Sequence, residues 1–185
     1  MSEDRPASRA RLIAARRALS DADHAAASAA VLRTLTERFP PGSLGLVAAY
    51  WPIAGEIDPL PYLRATLAAG GGAALPVVLK RAQPLIFRVW TPETPMSHRA
   101  LGLAHPAEGA PVTPDALLIP LVGFGPAGHR LGFGGGYYDR TLPTLNSRPL
   151  AIGLGFEAGR LKAFQPEPHD QRMDVIITET GVRLF

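Results

Sequence analysis

The chain has 185 residues, of which 46% are hydrophobic and 19% charged, so its length predicts one globular domain over residues 1–185. It contains no cysteine, which excludes disulfide scaffolds, thiolate catalysis and cysteine zinc sites and favours the cytoplasm. The net charge is +3, and 17 of the 19 basic residues are arginines, whose planar side chains suit phosphate or carboxylate ligands.

Membranes and nucleic acids are not predicted as partners. No apolar run approaches the roughly 18–20 residues that span a bilayer, and residues 1–20 lack the apolar core of a signal peptide. The positive charges are spread along the chain rather than concentrated in one patch. We therefore expect a soluble, cytoplasmic protein that acts on a small molecule. We also expect a monomer, although no residue pattern determines the oligomeric state.

The first half of the chain alternates helical and extended patterns. Helices are predicted at residues 5–19, 20–39 and 59–70, and strands at residues 43–51, 73–78 and 84–90. Ser20 is the expected N-cap of the second helix, with Asp23 three residues on in a variant capping box. The third helix is opened by Pro59 and Pro61.

The second half continues this pattern after a long loop at residues 91–114. Strands are predicted at residues 115–122, 149–156 and 174–180, and a short helix at residues 137–145. These strands are apolar rather than alternating, which is typical of strands buried on both faces. Apolar strands that alternate with helices predict an α/β sandwich with a mainly parallel sheet.

A glycine-rich segment, GFGPAGHRLGFGGG at residues 123–136, leaves a predicted strand and leads into the short helix, and seven of its 14 residues are glycines. Such a segment lets backbone N–H groups approach phosphate oxygens, and ligands of open α/β sheets bind where strands end. Arg130 and Arg140 flank it as cations. The alternative is a flexible surface turn, but the arginines and the paired tyrosines favour a binding loop.

Two common phosphate motifs do not fit this segment. GFGPAG at residues 123–128 matches G-x-G-x-x-G, but Pro126 lies inside it, no helix pattern starts there and no acidic residue follows near residue 148. A Walker A motif needs Gly-Lys-Ser/Thr, which the sequence lacks. A dinucleotide fingerprint and a P-loop are therefore both excluded.

Other candidate residues each have a plain structural alternative. Arg5, Arg9 and Arg16 lie on one stripe of the first helix, and such a stripe is by default a solvated face. Tyr50, Trp51 and Glu56 follow a buried strand, so Glu56 either binds a ligand N–H or sits in a turn. His169 and Asp170 precede the last strand, and a single His–Asp pair is weak evidence for a metal site. We interpret them as loop residues unless Asp139 lies nearby. Asp139 itself suits the first turn of a helix as well as a metal.

In combination, these segments resemble the 5-formyltetrahydrofolate cyclo-ligase family. The resemblance runs almost end to end through RARLIAARRALS, YWPIAGEID, MSHRALGLAHP, LIPLVGFGPAGHRLGFGGGYYDR and HDQRMDVIITETGV, with RLGFGGGYYDR as the specific part. It implies a three-layer α/β/α sandwich. It also implies an enzyme that uses ATP and Mg²⁺ to convert 5-formyltetrahydrofolate, a reduced folate, to 5,10-methenyltetrahydrofolate.

The resemblance implies a role for each matching residue. ATP is expected at Arg5, Arg9, Arg130, Leu131, Gly132, Phe133, Gly134, Gly135, Gly136, Tyr137, Tyr138 and Asp139. The folate is expected at Trp51, Glu56, Tyr137 and Tyr138, with Glu56 holding the pterin. Mg²⁺ is expected at Asp139 and Asp170, and the catalytic groups are expected to be Arg130 and Tyr138.

Three positions depart from the family pattern. Arg5 replaces a lysine, Gly135 stands where some relatives carry a lysine, and His105 stands where many carry an acid. Arg5 and His105 leave room for a non-catalytic folate- or nucleotide-binding homologue. A second rival reading is a sugar-phosphate isomerase or CoA-transferase type of enzyme on a similar sandwich. The sequence also predicts that Asp139→Ala abolishes turnover and leaves the fold intact.

Overall fold

A central sheet runs through the computed structural model, which describes residues 4–98 and 103–185. The helices are α1 (Arg5–Arg17), α2 (Asp21–Arg38), α3 (Leu60–Ala68) and α4 (Tyr137–Thr141), with 3-10 turns at Leu142–Thr144 and Glu157–Gly159. The strands are β1 (Leu46–Ala48), β2 (Gly72–Val77), β3 (Ile86–Val89), β4 (Met96–Ser97), β5 (His105–Pro106), β6 (Pro111–Val112), β7 (Ala116–Pro120), β8 (Gly123–Phe124), β9 (Arg130–Leu131), β10 (Leu150–Leu154), β11 (Val175–Thr178) and β12 (Gly181–Leu184).

Eight of these strands form the sheet, in the order β12-β11-β10-β7-β1-β2-β3-β6. The five central strands, from β11 to β2, pair in parallel, whereas β12, β3 and β6 pair antiparallel at the two edges. The prediction of a mainly parallel sheet is confirmed. The sequence did not predict β12, and the strand predicted at residues 43–51 is only three residues long.

Each side of the sheet buries its own core. Along β7, Ala116 and Leu118 contact one hydrophobic cluster, and Leu117 and Ile119 contact the other, because successive side chains of a strand point to opposite faces. The first cluster also contains side chains of α2 and α3, and the second contains Leu142 beside α4. Helical segments therefore cover both faces, as expected for a three-layer sandwich.

The predicted helices begin and end close to the expected residues. The N–H of Asp23 donates to Ser20 Oγ at 3.1 Å, which confirms the predicted N-cap of α2. On α1, Leu12 packs with Val122, Leu131 and Leu161 in a third, smaller cluster. Because Val122 lies just beyond β7, this contact places α1 across the carboxyl ends of the parallel strands.

Short strands interrupt the two segments that the sequence presents as loops. The loop predicted at residues 91–114 contains β4, β5 and β6, and residues 99–102 lie outside the described part of the chain. Within the glycine-rich segment, β8 and β9 pair as an antiparallel hairpin. The G-x-G-x-x-G match thus belongs to a strand and a turn, not to the start of a helix. No helix in residues 4–98 and 103–185 is both long and apolar enough to cross a membrane.

Candidate active site at the carboxyl ends of the strands

A cavity of about 630 Å³ lies where β1, β2 and β7 end. Pro76 and Pro120 line its floor at the ends of β2 and β7, and the residues after β1 form one wall. The structure brings together at this cavity every site residue that the sequence predicts, namely Arg5, Arg9, Trp51, Glu56, Arg130, Leu131, Gly132, Phe133, Gly134, Gly135, Gly136, Tyr137, Tyr138, Asp139 and Asp170.

The glycine loop at residues 132–136 forms the second wall. Gly134 and Gly136 have φ values of 93° and 62°, in the left-handed region that L side chains rarely adopt, so the backbone conformation favours glycine there. Arg9 reaches from α1, and its Nε donates to the carbonyl of Gly132 at 2.7 Å. The loop therefore presents bare backbone to the cavity with a guanidinium held against it.

Arg130 and Asp139 form a two-pronged ion pair beside this loop. Nη1 and Nη2 of Arg130 donate to the two carboxylate oxygens of Asp139 at 3.0 and 2.9 Å. Both side chains are mostly buried, with 5% of Arg130 and 15% of Asp139 exposed. The N–H of Gln171 also donates to Asp139, at 3.0 Å, which ties α4 to the loop before β11.

A second ion pair joins Arg5 of α1 to Asp170. Arg5 Nη1 donates to Asp170 Oδ1 at 3.2 Å, Nη2 binds Oδ2, and the N–H of Glu167 donates to Oδ2 at 2.7 Å. Burial raises the pKa of Asp170, but the hydrogen bonds from Arg5 and Glu167 outweigh it, and the net pKa is lowered. Asp170 is therefore an ionised carboxylate that positions the N-terminus of α1.

Glu56 lines the same cavity and differs in chemical character from these arginine–aspartate pairs. It is buried, and its Oε2 accepts a hydrogen bond from the N–H of Ile53 at 2.9 Å. Burial raises the pKa of Glu56 to about 7, against the opposing effects of that hydrogen bond and of the Arg16 charge. A buried carboxylate with free acceptor capacity suits a ligand that presents N–H donors.

Aromatic side chains complete the site. Tyr50 is buried and donates to the carbonyl of Ile57 at 2.7 Å, which braces the segment that carries Trp51 and Glu56. The guanidinium of Arg130 lies over the ring of Tyr138, 5.6 Å from its centre. Burial first, and the Glu56 charge second, raise the pKa of Tyr138, so its hydroxyl keeps its proton.

Two solved structures share this fold over nearly the whole chain. A 5,10-methenyltetrahydrofolate synthetase from Mycoplasma pneumoniae has a TM-score of 0.79 and 26% identity, with 96% of this chain and 99% of that chain covered. The corresponding synthetase from Aquifex aeolicus has a TM-score of 0.83 and 28% identity, with coverages of 97% and 92%.

Sequence comparison agrees with the structural likeness. The 5-formyltetrahydrofolate cyclo-ligase of Haemophilus influenzae is 30% identical over 131 residues, which are 67% of this chain and 70% of the relative. The model of the 5-formyltetrahydrofolate cyclo-ligase family matches residues 1–179. The chain belongs to this family. It is therefore an enzyme, a ligase of folate one-carbon chemistry.

The arginine stripe of α1 is not the solvated face that its spacing suggests. Arg5 and Arg9 are partly buried against Asp170 and the glycine loop, and Arg16 is buried with 6% of its surface exposed. The stripe faces inward because α1 lies across the carboxyl ends of the parallel strands. Arg5 and Arg9 also line the cavity, and their role as ATP contacts stays a prediction from the resemblance.

Sequence reasoning missed the wall formed by Val78, Arg81 and Leu85. These residues follow the carboxyl end of β2, so the rule that singled out Trp51 and Glu56 after β1 would also have found them. His105, which replaces the acid of many cyclo-ligases, also lines the cavity, and its Nδ1 bonds the carbonyl of Leu103 at 2.9 Å.

Asp139 and Asp170 are the two carboxylates whose hydrogen bonds limit how they could bind a metal ion. Residues 4–98 and 103–185 hold no group of three or more His, Cys, Asp or Glu side chains that would cage an ion. Asp139 and Asp170 each already accept three hydrogen bonds. A carboxylate has about four acceptor positions, and Mg²⁺ commonly binds one or two carboxylates together with substrate phosphates. Each of the two carboxylates therefore has acceptor capacity left for an ion that also binds phosphate oxygens.

Gly134→Ala is expected to destabilise the protein by about 1–3 kcal/mol, because φ at Gly134 strains any residue with a Cβ. The added Cβ would also lie 3.3 Å from Arg9 Cζ and displace that guanidinium, so KM for ATP should rise. Gly132→Ala is the matched control for stability, since its Cβ would meet no atom within 4 Å. Denaturant unfolding and ATP kinetics test this, and equal stability losses in both variants would contradict it.

Proposed function

We propose that this chain closes the one-carbon bridge of 5-formyltetrahydrofolate to give 5,10-methenyltetrahydrofolate, with ATP converted to ADP and phosphate. The observation that carries the proposal is the composition of a single cavity. A glycine loop with three arginines and a buried carboxylate among aromatic rings line the same space. The first set suits a triphosphate, and the second suits the pterin of a reduced folate.

At the folate end, we assign Glu56 as the acceptor for the pterin N–H groups. Its position next to Trp51, in a segment braced by Tyr50, gives the pterin a flat apolar surface and one ionic anchor. Tyr137 and Tyr138 line the cavity from α4, between this end and the glycine loop. That position suits contacts with both substrates.

At the ATP end, we assign the phosphates to the backbone of residues 132–136, with Arg5, Arg9 and Arg130 as cations. The helix dipole contributes little, because α4 has only five residues. When bound with ATP, Mg²⁺ would supply positive charge to the phosphate oxygens, with Asp139 and Asp170 as its protein carboxylates. Arg130 stays rigid under Asp139, so it can compensate charge without moving.

The chemistry needs no protein nucleophile. The formyl oxygen on N5 attacks the γ-phosphorus, an O–P bond forms, and the bond to the β,γ-bridging oxygen breaks to release ADP. N10 then attacks the formyl carbon, loses its proton, and expels phosphate as the C–O bond breaks. We assign Arg130 to the charge on the transferring phosphoryl group and the Tyr138 hydroxyl to a hydrogen bond with its oxygens.

The test is incubation of the protein with 5-formyltetrahydrofolate, ATP and Mg²⁺ while the absorbance of the methenyl product is followed. We expect product formation that requires ATP and Mg²⁺ and releases one phosphate per product. Folate and ATP binding without product would favour the non-catalytic homologue. Turnover of a sugar phosphate or CoA ester without ATP would favour the isomerase or transferase reading, and either result would overturn the proposal.

We also propose that the chain works as a single-domain monomer in the cytoplasm, with no nucleic-acid or membrane partner. The roles assigned above are all filled by residues of this chain that line the cavity, so the proposed chemistry asks for no residue of a second copy. Light scattering of the active fraction should give the mass of one chain. Activity confined to a larger species would contradict this.

A further inference from the structure

Arg16 is a buried cation that the proposed chemistry does not use. Only 6% of its surface is exposed, and its one hydrogen bond to residues 4–98 and 103–185 is a long contact of 3.5 Å from Nη1 to the carbonyl of Leu121. Nε and Nη2 are buried and have no hydrogen-bond partner among the described residues. A buried charge left without partners costs stability, so packing alone gives no reason for an arginine here.

Its surroundings are three segments of the site. Leu121 follows β7, and the guanidinium lies 5.7 Å from the ring centre of Phe133 in the glycine loop. On a third side it lies against Gly55, since a Cβ on Gly55 would be 3.9 Å from Arg16 Nε. Gly55 directly precedes Glu56. Arg16 thus connects the α1 helix, which carries Arg5 and Arg9, to the segment proposed to hold the pterin.

The other groups around Glu56 come from several elements. Tyr50 and Tyr138 interact with Glu56 electrostatically, and both have raised pKa values, chiefly through burial, that keep them uncharged. Asp58 acts on Tyr50 and Arg130 acts on Tyr138. From α2, His24 Nε2 bonds the carbonyl of Gly55 at 2.8 Å. Arg16 is the cation whose field lowers the pKa of Glu56.

We propose that Arg16 is a positioning residue for folate: its guanidinium holds the 53–56 segment and Phe133 in register, and its buried positive charge lies beside the segment that carries the pterin acceptor Glu56. This inference rests on the proposed role of Glu56 as the pterin acceptor. The unpartnered nitrogens fit this role, because a full ion pair would saturate the carboxylate that the pterin needs. A buried arginine without partners lowers the stability of the fold, but its charge favours an ionised acceptor at a buried position.

The decisive variant is Arg16→Met, which keeps the length and apolar packing of the side chain and removes the charge. Arg16→Lys retains the charge, and Arg17→Met removes a neighbouring exposed arginine as the matched control. In ligand-free protein, ¹³C NMR of the Glu56 carboxyl, assigned with Glu56→Gln, should titrate about one pH unit higher in Arg16→Met. Arg16→Lys should restore most of this shift, and Arg17→Met should show none.

The kinetic result follows from the same shift. With a wild-type pKa of about 7 for Glu56, a rise of about one pH unit would lower the ionised fraction at pH 7 from about one half to about one tenth. We expect kcat/KM for the folate to fall about fivefold at pH 7 and to recover towards pH 9, mainly through KM. Thermal stability should be unchanged or higher in Arg16→Met, as is common when apolar side chains replace buried charges.

The outcomes separate this inference from the proposed function. An unshifted Glu56 titration in Arg16→Met would overturn the role of Arg16 even if the wild-type protein makes methenyl product. A shifted titration with unchanged folate KM would instead overturn Glu56 as the pterin acceptor. If Arg16→Met does not fold, the arginine is structural and the inference is wrong, unless Arg16→Gln folds and shows the same shift of the titration.

Discussion

Glu56→Gln is expected to make the protein more stable at alkaline pH and to raise its KM for the folate strongly. Burial raises the pKa of Glu56 from 4.5 to about 7, so the folded state favours the protonated carboxyl. This favourable contribution is fully present below pH 4.5 and is lost as the pH rises through 7. At pH 8 the ionisation of Glu56 therefore lowers the free energy of unfolding of the wild-type protein by up to about 3 kcal/mol. A neutral amide at this position avoids that loss.

The measurement is urea unfolding of both proteins at pH 5 and pH 8. The variant should gain little at pH 5 and up to about 3 kcal/mol at pH 8, whereas KM for the folate should rise about 10- to 100-fold, because the pterin loses a charged acceptor. Glu37→Gln, an exposed carboxylate on α2, controls for the loss of one negative charge. A stability difference that does not change with pH would show that Glu56 is not a strained, buried acid.

The core topology is readable from the sequence because its signal is local. Strands such as β7 and β11 are apolar on both faces, and such strands are typical of a parallel sheet that is covered on both sides. The edge strand β12 carries only half-buried and exposed residues, so its four residues give no such signal. The hairpin of β8 and β9 has two residues per strand, which is too short for any periodicity.

The location of the site is also readable, but its electrostatics are not. Glycines and strand ends mark the cavity wall, whereas the Arg5–Asp170 pair joins residues 165 positions apart and depends on how α1 lies on the sheet. Whether Arg16 is buried or solvated depends on the same packing of α1 on the sheet. A stripe of arginines on a helix is solvated only if nothing covers it, and helix periodicity cannot report what packs against the stripe.

Asp139→Asn is expected to reduce turnover at least about 100-fold and also to destabilise the fold. The sequence predicts an intact fold for Asp139→Ala, but the structure shows that the carboxylate neutralises Arg130, whose side chain is 5% exposed. Removing one partner of such a pair leaves a buried charge and typically costs about 3–5 kcal/mol. A loss of activity alone would thus not separate a role at the phosphates from a role in folding.

A double-mutant cycle with Arg130→Met separates the two roles. The double variant should recover much of the stability that Asp139→Asn loses, because no charge is then left unpaired, but it should not recover turnover. If Asp139 also meets the metal, the Mg²⁺ concentration for half-maximal activity should rise in Asp139→Asn and stay unchanged in Arg130→Met. Full activity in Asp139→Asn would overturn its place in the site, and a recovery of turnover in the double variant would reduce its role to the support of Arg130.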